Sequence, residues 1–263
     1  MDKTITIIRK EWAEVFKNRL VLFTVLFLPL ILAVIPLGML IAFNQSESFG
    51  AEMADPEIMQ LAGQMCTGLD PMDCSLVYML NLFVLMFMIL PVSIPVTIAA
   101  YSIVGEKTTR SLEPLLATPI TTVELLAAKI ISAVVPAIGA TWLAFAIFLV
   151  GAALLAPAAV FAEFFSAHWL LAIFIVAPLL TVLSTCVAVI VSSRVTDPRV
   201  AEQMAAVVIL PLILLIVGQS MGLVLIDRRM MLVIGAVVLV IDVVLVYLAI
   251  RLFQRETILT QWK

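Results

Sequence analysis

Few side chains in this sequence are spaced to do chemistry, and Asp242 stands out because of its surroundings. Val240, Ile241, Val243 and Val244 flank it in an otherwise uncharged run. An Asp at the centre of a bilayer costs roughly 2.5–3.5 kcal/mol, so such a residue must face other helices or a cavity. Two readings stand. Asp242 is a cation or proton site, or it is a protonated or hydrogen-bonded acid that holds helices together, for instance through Ser or Thr on another span. His168 is the only histidine, and beside Trp169 it reads as an interfacial residue. Cys66 and Cys74 bracket a short stretch outside the membrane, where an oxidising exterior favours a disulfide. Cys186 lies in an apolar run and reads as a small apolar filler. None of the ten glycines is followed by Lys, so no G-x-x-x-x-G-K-[ST] phosphate loop is present. H-E-x-x-H cannot be written with one histidine, G-x-S-x-G is absent, and no span holds two carboxylates. We therefore expect no catalytic residue, no metal and no cofactor on this chain.

A second constellation is mechanical rather than catalytic. It is GEKTTRSLEPLLATPITTVELLAAK, from Gly105 to Lys129. Ser111 can cap a short helix carrying Leu112, Leu115 and Leu116 on one side, and Pro119 stops it. Thr121 and Glu124 follow in S/T-x-x-E spacing, the capping box that restarts a helix. A helix, a stop and a restart between two long apolar runs form a shaped knuckle on which a partner can push.

The elements that position these residues follow from composition. The chain has 263 residues, 64% hydrophobic and 13% charged, with a mean hydropathy of +1.22. Soluble domains carry about 25% charged residues, so this is a polytopic membrane protein. We expect an all-α fold in a single transmembrane domain over residues 1–263. Its spans are 20–43, 76–104, 130–153, 169–193, 204–226 and 230–250, each near or above the roughly 20 residues needed to cross. Residues 1–19 read as an amphipathic helix on the inner membrane surface, with Trp12 at headgroup depth. Residues 44–75 form an outer loop, 105–129 the knuckle and 251–263 a tail. Pro29, Pro36, Pro91 and Pro95 are expected kinks, tolerated where neighbouring helices re-satisfy the freed carbonyls. Gly218 and Gly222 form a GxxxG, which either lets helices approach closely or breaks the fifth span into a turn.

Charge orients these spans. Of the fifteen Lys and Arg, all but Arg228 and Arg229 fall in the N-terminal segment, the knuckle, the loop at 192–203 or the tail. The positive-inside rule places those segments, and both termini, in the cytoplasm.

Several stretches resemble the membrane-spanning permease subunits of type-two ABC exporters, a group related to sodium, drug and polysaccharide exporters. IIRKEWAEVFKNRLVLF is similar to that family's amphipathic connecting helix. GEKTTRSLEPLLATPITTVELLAAKI resembles its most recognisable signature, although Arg110 stands where the family often has Gly. SSRVTDPRVAEQMAAVVILPL and FQRETILT match as well. The resemblance implies a six-span permease in a prokaryotic cytoplasmic membrane, paired with a separate ABC ATPase subunit that holds ATP and Mg. It implies a second permease copy, as a homodimer or a heterodimer. It makes the knuckle a coupling helix, with Glu106, Leu112, Glu113, Leu115, Leu116 and Pro119 as its contacts. Glu106 and Glu113 would pair with cations on the ATPase or on the N-terminal helix. The substrate path would run between two permeases, largely along the second and fifth spans. The lipid bilayer is the other partner, and no nucleic acid is expected. Two further readings stay open: an ion-driven transporter using Asp242, and a membrane enzyme or assembly factor without transport.

Overall fold

The computed structural model describes residues 2–45, 70–108 and 121–252, and among them all regular structure is helical. Six helical segments are long and apolar enough to cross a membrane. Helix α1 (Asp2–Val15) precedes α2 (Arg19–Gln45). The second span is broken into α3 (Pro71–Phe87) and α4 (Leu90–Thr108). Helix α5 (Thr122–Leu155) is the third span, and the short α6 (Ala158–Glu163) follows it. The fourth span joins α7 (Ala167–Leu171), a π turn (Ala172–Val176) and α8 (Ala177–Ser192). The fifth joins α9 (Pro198–Ala205), a 3-10 turn and α10 (Ile209–Ser220), and the sixth is α11 (Arg228–Leu252).

The caps are local and follow from residue type. Thr121 Oγ1 accepts the Glu124 N–H at 3.2 Å, while Glu124 Oε2 accepts the Thr121 N–H at 2.8 Å. Each satisfies a donor that the first turn leaves open. The Asp197 carboxylate accepts the N–H groups of Arg199 and Val200, with Pro198 supplying the fixed φ of a first helical residue. The fifth helix thus starts at Pro198, ahead of the apolar run.

The second and fourth spans form the centre. In their most apolar windows 72% and 61% of residues are buried, against 17% and 22% in the fifth and sixth. Helices α4 and α8 pack on each other, α2 lies against α5, and α11 leans on α8. Gly151 of α5 allows the α2 contact: a Cβ there would stand 2.5 Å from Leu37 Cδ2. Large apolar side chains on α2, α10 and α11, including Phe23, Leu214 and Val243, remain exposed and suit lipid.

Proline explains much of how the helices lock together. A proline withholds the N–H that the carbonyl four residues earlier would accept. Pro95 frees the Pro91 carbonyl, and Ser184 Oγ of α8 donates to it at 3.1 Å. Pro136 frees the Ser132 carbonyl, and Trp12 Nε1 of α1 donates to it at 2.9 Å. In the π turn the N–H of Ala177 reaches back to the Ala172 carbonyl. Ile173 would then need an N–H from residue 178, which is proline, and Trp142 Nε1 supplies one at 3.2 Å. Trp12 is therefore half-buried against α5, with its indole N–H committed to protein rather than to headgroups. The GxxxG resolves as a turn. Gly222 lies past the end of α10 with φ of 69°, and the Leu223 N–H returns to the Gly218 carbonyl at 2.9 Å. The left-handed conformation, not helix approach, is what Gly222 supplies.

At the end of the bundle away from α1, a buried polar lattice ties three spans. Asn81 Oδ1 accepts from Trp169 Nε1 at 2.8 Å and lies 3.0 Å from His168 Nε2, while its backbone carbonyl accepts from Gln219 Nε2. His168 is thus a bridge inside the protein. Trp169 is fully buried among Phe87, Phe145, Phe148 and Phe164.

Candidate functional site

Three helices converge where the knuckle leaves and rejoins the bundle. Ser102 and Glu106 stand one turn apart near the end of α4, Lys129 lies in the second turn of α5, and Lys10 and Glu11 come from α1. Glu11, Ser102, Glu106 and Lys129 are all buried. Lys129 Nζ stands 2.9 Å from Glu11 Oε1, 2.7 Å from Glu106 Oε2 and 3.0 Å from Ser102 Oγ. Lys129 thus donates hydrogen bonds to Glu11 and Ser102 and forms an ion pair with Glu106. Ser102 accepts from Lys129 and donates to Glu11. Glu106 Oε1 is 3.0 Å from Lys10 Nζ, so each oxygen of Glu106 meets a different cation. Lys10 also approaches Glu14 at 3.6 Å on the surface of α1.

This arrangement opposes desolvation with charge. Burial disfavours the Glu11 carboxylate, but Lys129 and the hydrogen bonds from Ser102 and Lys129 outweigh it and hold the group below the usual carboxylate range. Burial likewise disfavours the charge on Lys10, but Glu106 above all, then Glu14 and Glu11, raise it overall. A cavity of about 250 Å³ adjoins the cluster, lined by Glu14, Asn18, Tyr101 and Pro198 among others. Below it, Thr97 of α4 donates to Glu202 of α9, which ties the fifth span to the same face of α4. Among the described residues no group of three or more metal-ligating side chains occurs, and the junction is built of buried hydrogen-bonded ion pairs. What it can do is make α1, α4 and α5 move as one body. A buried charge deprived of its partner costs several kcal/mol, so the three helices cannot part cheaply here.

Of the residues read from the sequence, Glu106 lies inside this junction. Its partners are Lys10 on α1 and Lys129 on α5. Leu112, Glu113, Leu115, Leu116 and Pro119 lie outside the described residues, as does Cys66. Cys74 is buried in the first turn of α3. Asp242 is far along α11, remote from the junction and 5% exposed. Neither of its oxygens has a hydrogen-bond partner among the described residues, so the Ser or Thr bridge weighed for it is not formed. The sequence reading missed Glu11, Ser102, Lys129 and Glu202 as site residues. The available signal was Glu11 inside the amphipathic helix, and nothing in its neighbourhood identified a partner.

Fold and site define a helical membrane domain in which a buried charge cluster joins α1, α4 and α5. A family model described as ABC-2 family transporter protein matches residues 5–234, and the chain belongs to that family. It is a membrane permease of an ABC transporter. No curated protein matches the chain.

Proposed function

We propose that this chain is the export permease of an ATP-binding cassette transporter, driven by ATP hydrolysis on a separate subunit that holds ATP and Mg. The observation that carries the reading is the pairing of Glu106 with Lys129 across the two roots of the knuckle, with Lys10 and Glu11 of α1 joined to the same cluster. A load applied between residues 106 and 129 reaches α1, α4 and α5 together and passes into the core through α4 and α8. Leu112, Leu115, Leu116 and Pro119 are the contacts that would fill a groove on the ATPase, with Glu113 facing a cation there. Glu106 takes a different role in this scheme. With both oxygens engaged inside the protein, it transmits the load rather than touching the partner.

The charge count supports a cytoplasmic position for this end of the bundle and for both termini, in a prokaryotic cytoplasmic membrane. A second permease copy, identical or not, would complete the transporter and seat the exposed spans. The Cys66–Cys74 disulfide remains part of the proposal for the outer loop. The test is co-expression with the ATPase subunit, followed by co-purification and ATP hydrolysis. Leu115→Asp and Glu113→Ala should weaken both. Unchanged binding and hydrolysis in the two variants would remove the knuckle from the interface.

A further inference from the structure

Asp242 is a buried acid that the junction mechanism leaves unused. It is 5% exposed, and neither oxygen accepts a hydrogen bond among the described residues. Val240, Ile241, Val243 and Val244 around it are exposed and face outward, so the carboxyl points into the bundle. Helix α11 packs against α8, α7, the π turn and α5. Their titratable and charged groups are Cys186 in α8, His168 in α7, and Glu124 and Lys129 at the start of α5. The π turn has none. On α11 itself Arg228 and Arg229 stand at one end, and Arg251 lies over the Tyr247 ring at the other. Of these groups, Cys186 is the one within electrostatic reach of Asp242, and it is a free thiol. Among the described residues no cation stands within ion-pair distance of Asp242.

We propose that Asp242 is a proton-binding site of the membrane domain, occupied while α11 packs on α8 and vacated when the two helices part. A carboxylate without donors or a counter-ion in apolar surroundings has nothing to replace its hydration, so the packed arrangement requires the neutral acid. Helix α11 also packs on an irregular element. Gly235 of α11 abuts Val176 of the π turn, where a Cβ on the glycine would stand 3.6 Å from Val176 Cγ2. Such a turn holds one residue more than an α turn, and shifting it along the fourth span changes the face that α8 offers to α11. When the helices part, the carboxyl O–H gives its proton to the entering water, and the carboxylate stays hydrated. The inference needs only the membrane-spanning fold and is independent of which chain hydrolyses ATP.

The full chain in lipid vesicles is treated with dicyclohexylcarbodiimide across a pH series, and the α11 peptide is analysed by mass spectrometry. The reagent's nitrogen takes the carboxyl proton while the carboxylate oxygen bonds its central carbon, so the protonated acid reacts by addition and nothing leaves. We expect an adduct on Asp242 that falls about tenfold per pH unit on the alkaline limb and is absent from Asp242→Asn. Alkylation of Cys186 by an apolar maleimide is the second measurement. At alkaline pH it should be several-fold faster in the native chain than in Asp242→Asn, which keeps α8 and α11 packed. No adduct on the native chain, an adduct independent of pH, or equal Cys186 rates would each overturn the proposal.

Discussion

Trp12 of α1 donates its indole N–H to the Ser132 carbonyl of α5, the acceptor that Pro136 leaves without a helical donor. The amphipathic helix is thus docked by a hydrogen bond as well as by charge. Trp12→Phe keeps most of the ring and removes the donor. It should cost about 1–2 kcal/mol, because a buried carbonyl is left unsatisfied. In a Pro136→Ala background the helix regains its own N–H, and the same substitution should cost much less. A double-mutant cycle by thermal unfolding in detergent reads the difference. Equal costs in both backgrounds would contradict the assignment.

Lys129 carries more of the junction than Lys10. Lys129→Met removes the cation from the buried Glu11 carboxylate and leaves Glu106 with Lys10 alone, and we expect a loss of about 3–5 kcal/mol, the range for breaking a buried pair. Lys10 is 36% exposed. Lys10→Met should therefore cost no more than about 1 kcal/mol, close to a surface pair. Folded yield and melting temperature in detergent give the order, and a larger loss from Lys10→Met would invert the proposed hierarchy.

The junction should be insensitive to pH through the neutral range. Glu11 is held below the usual carboxylate range, so its contribution is complete above about pH 4.3, the ordinary Glu value, and is lost as pH falls through its lowered value. Lys10 is raised, so its contribution is complete below about pH 10.4 and is lost as pH rises through the raised value. Protease access to α1, followed across that window, should stay flat in the native chain. Glu11→Gln should raise it at every pH between. A step near neutrality would show that another group governs the docking of α1.

Gly151 sets the distance between α2 and α5. Gly151→Ala drives a methyl into Leu37, and we expect a loss of about 1–3 kcal/mol from overpacking. Leu37→Ala should relieve it, so the double variant should melt above the sum of its single losses. Strict additivity would mean that the two residues do not meet.

How much of this was legible in the sequence depended on range. The uncharged runs marked the six spans, because crossing a bilayer needs only length and apolarity, both of which are local. The Thr121–Glu124 box was readable for the same reason: it is completed within three residues. Pro95 could be marked as a kink. That Ser184 would take up the freed carbonyl was not visible, since the two lie in different spans and carry no shared periodicity. The GxxxG had two readings, and the positive φ of Gly222 chose the turn.

The sequence by itself determined an all-helical membrane protein of this family, with the Thr121–Glu124 capping box at the start of its third span. The tertiary structure decided where the charges go. Glu11 meets Lys129 across 118 positions and Lys10 meets Glu106 across 96. No local pattern encodes such pairs, because a helix rule reaches only three or four residues. Their partners are set by which helices pack, and packing follows from the shape of the whole bundle. The same packing left Asp242 with no hydrogen-bond partner among the described residues. An acid in an apolar run announced the cost of burial, and only the arrangement of α8 and α11 showed that no described neighbour hydrogen-bonds it.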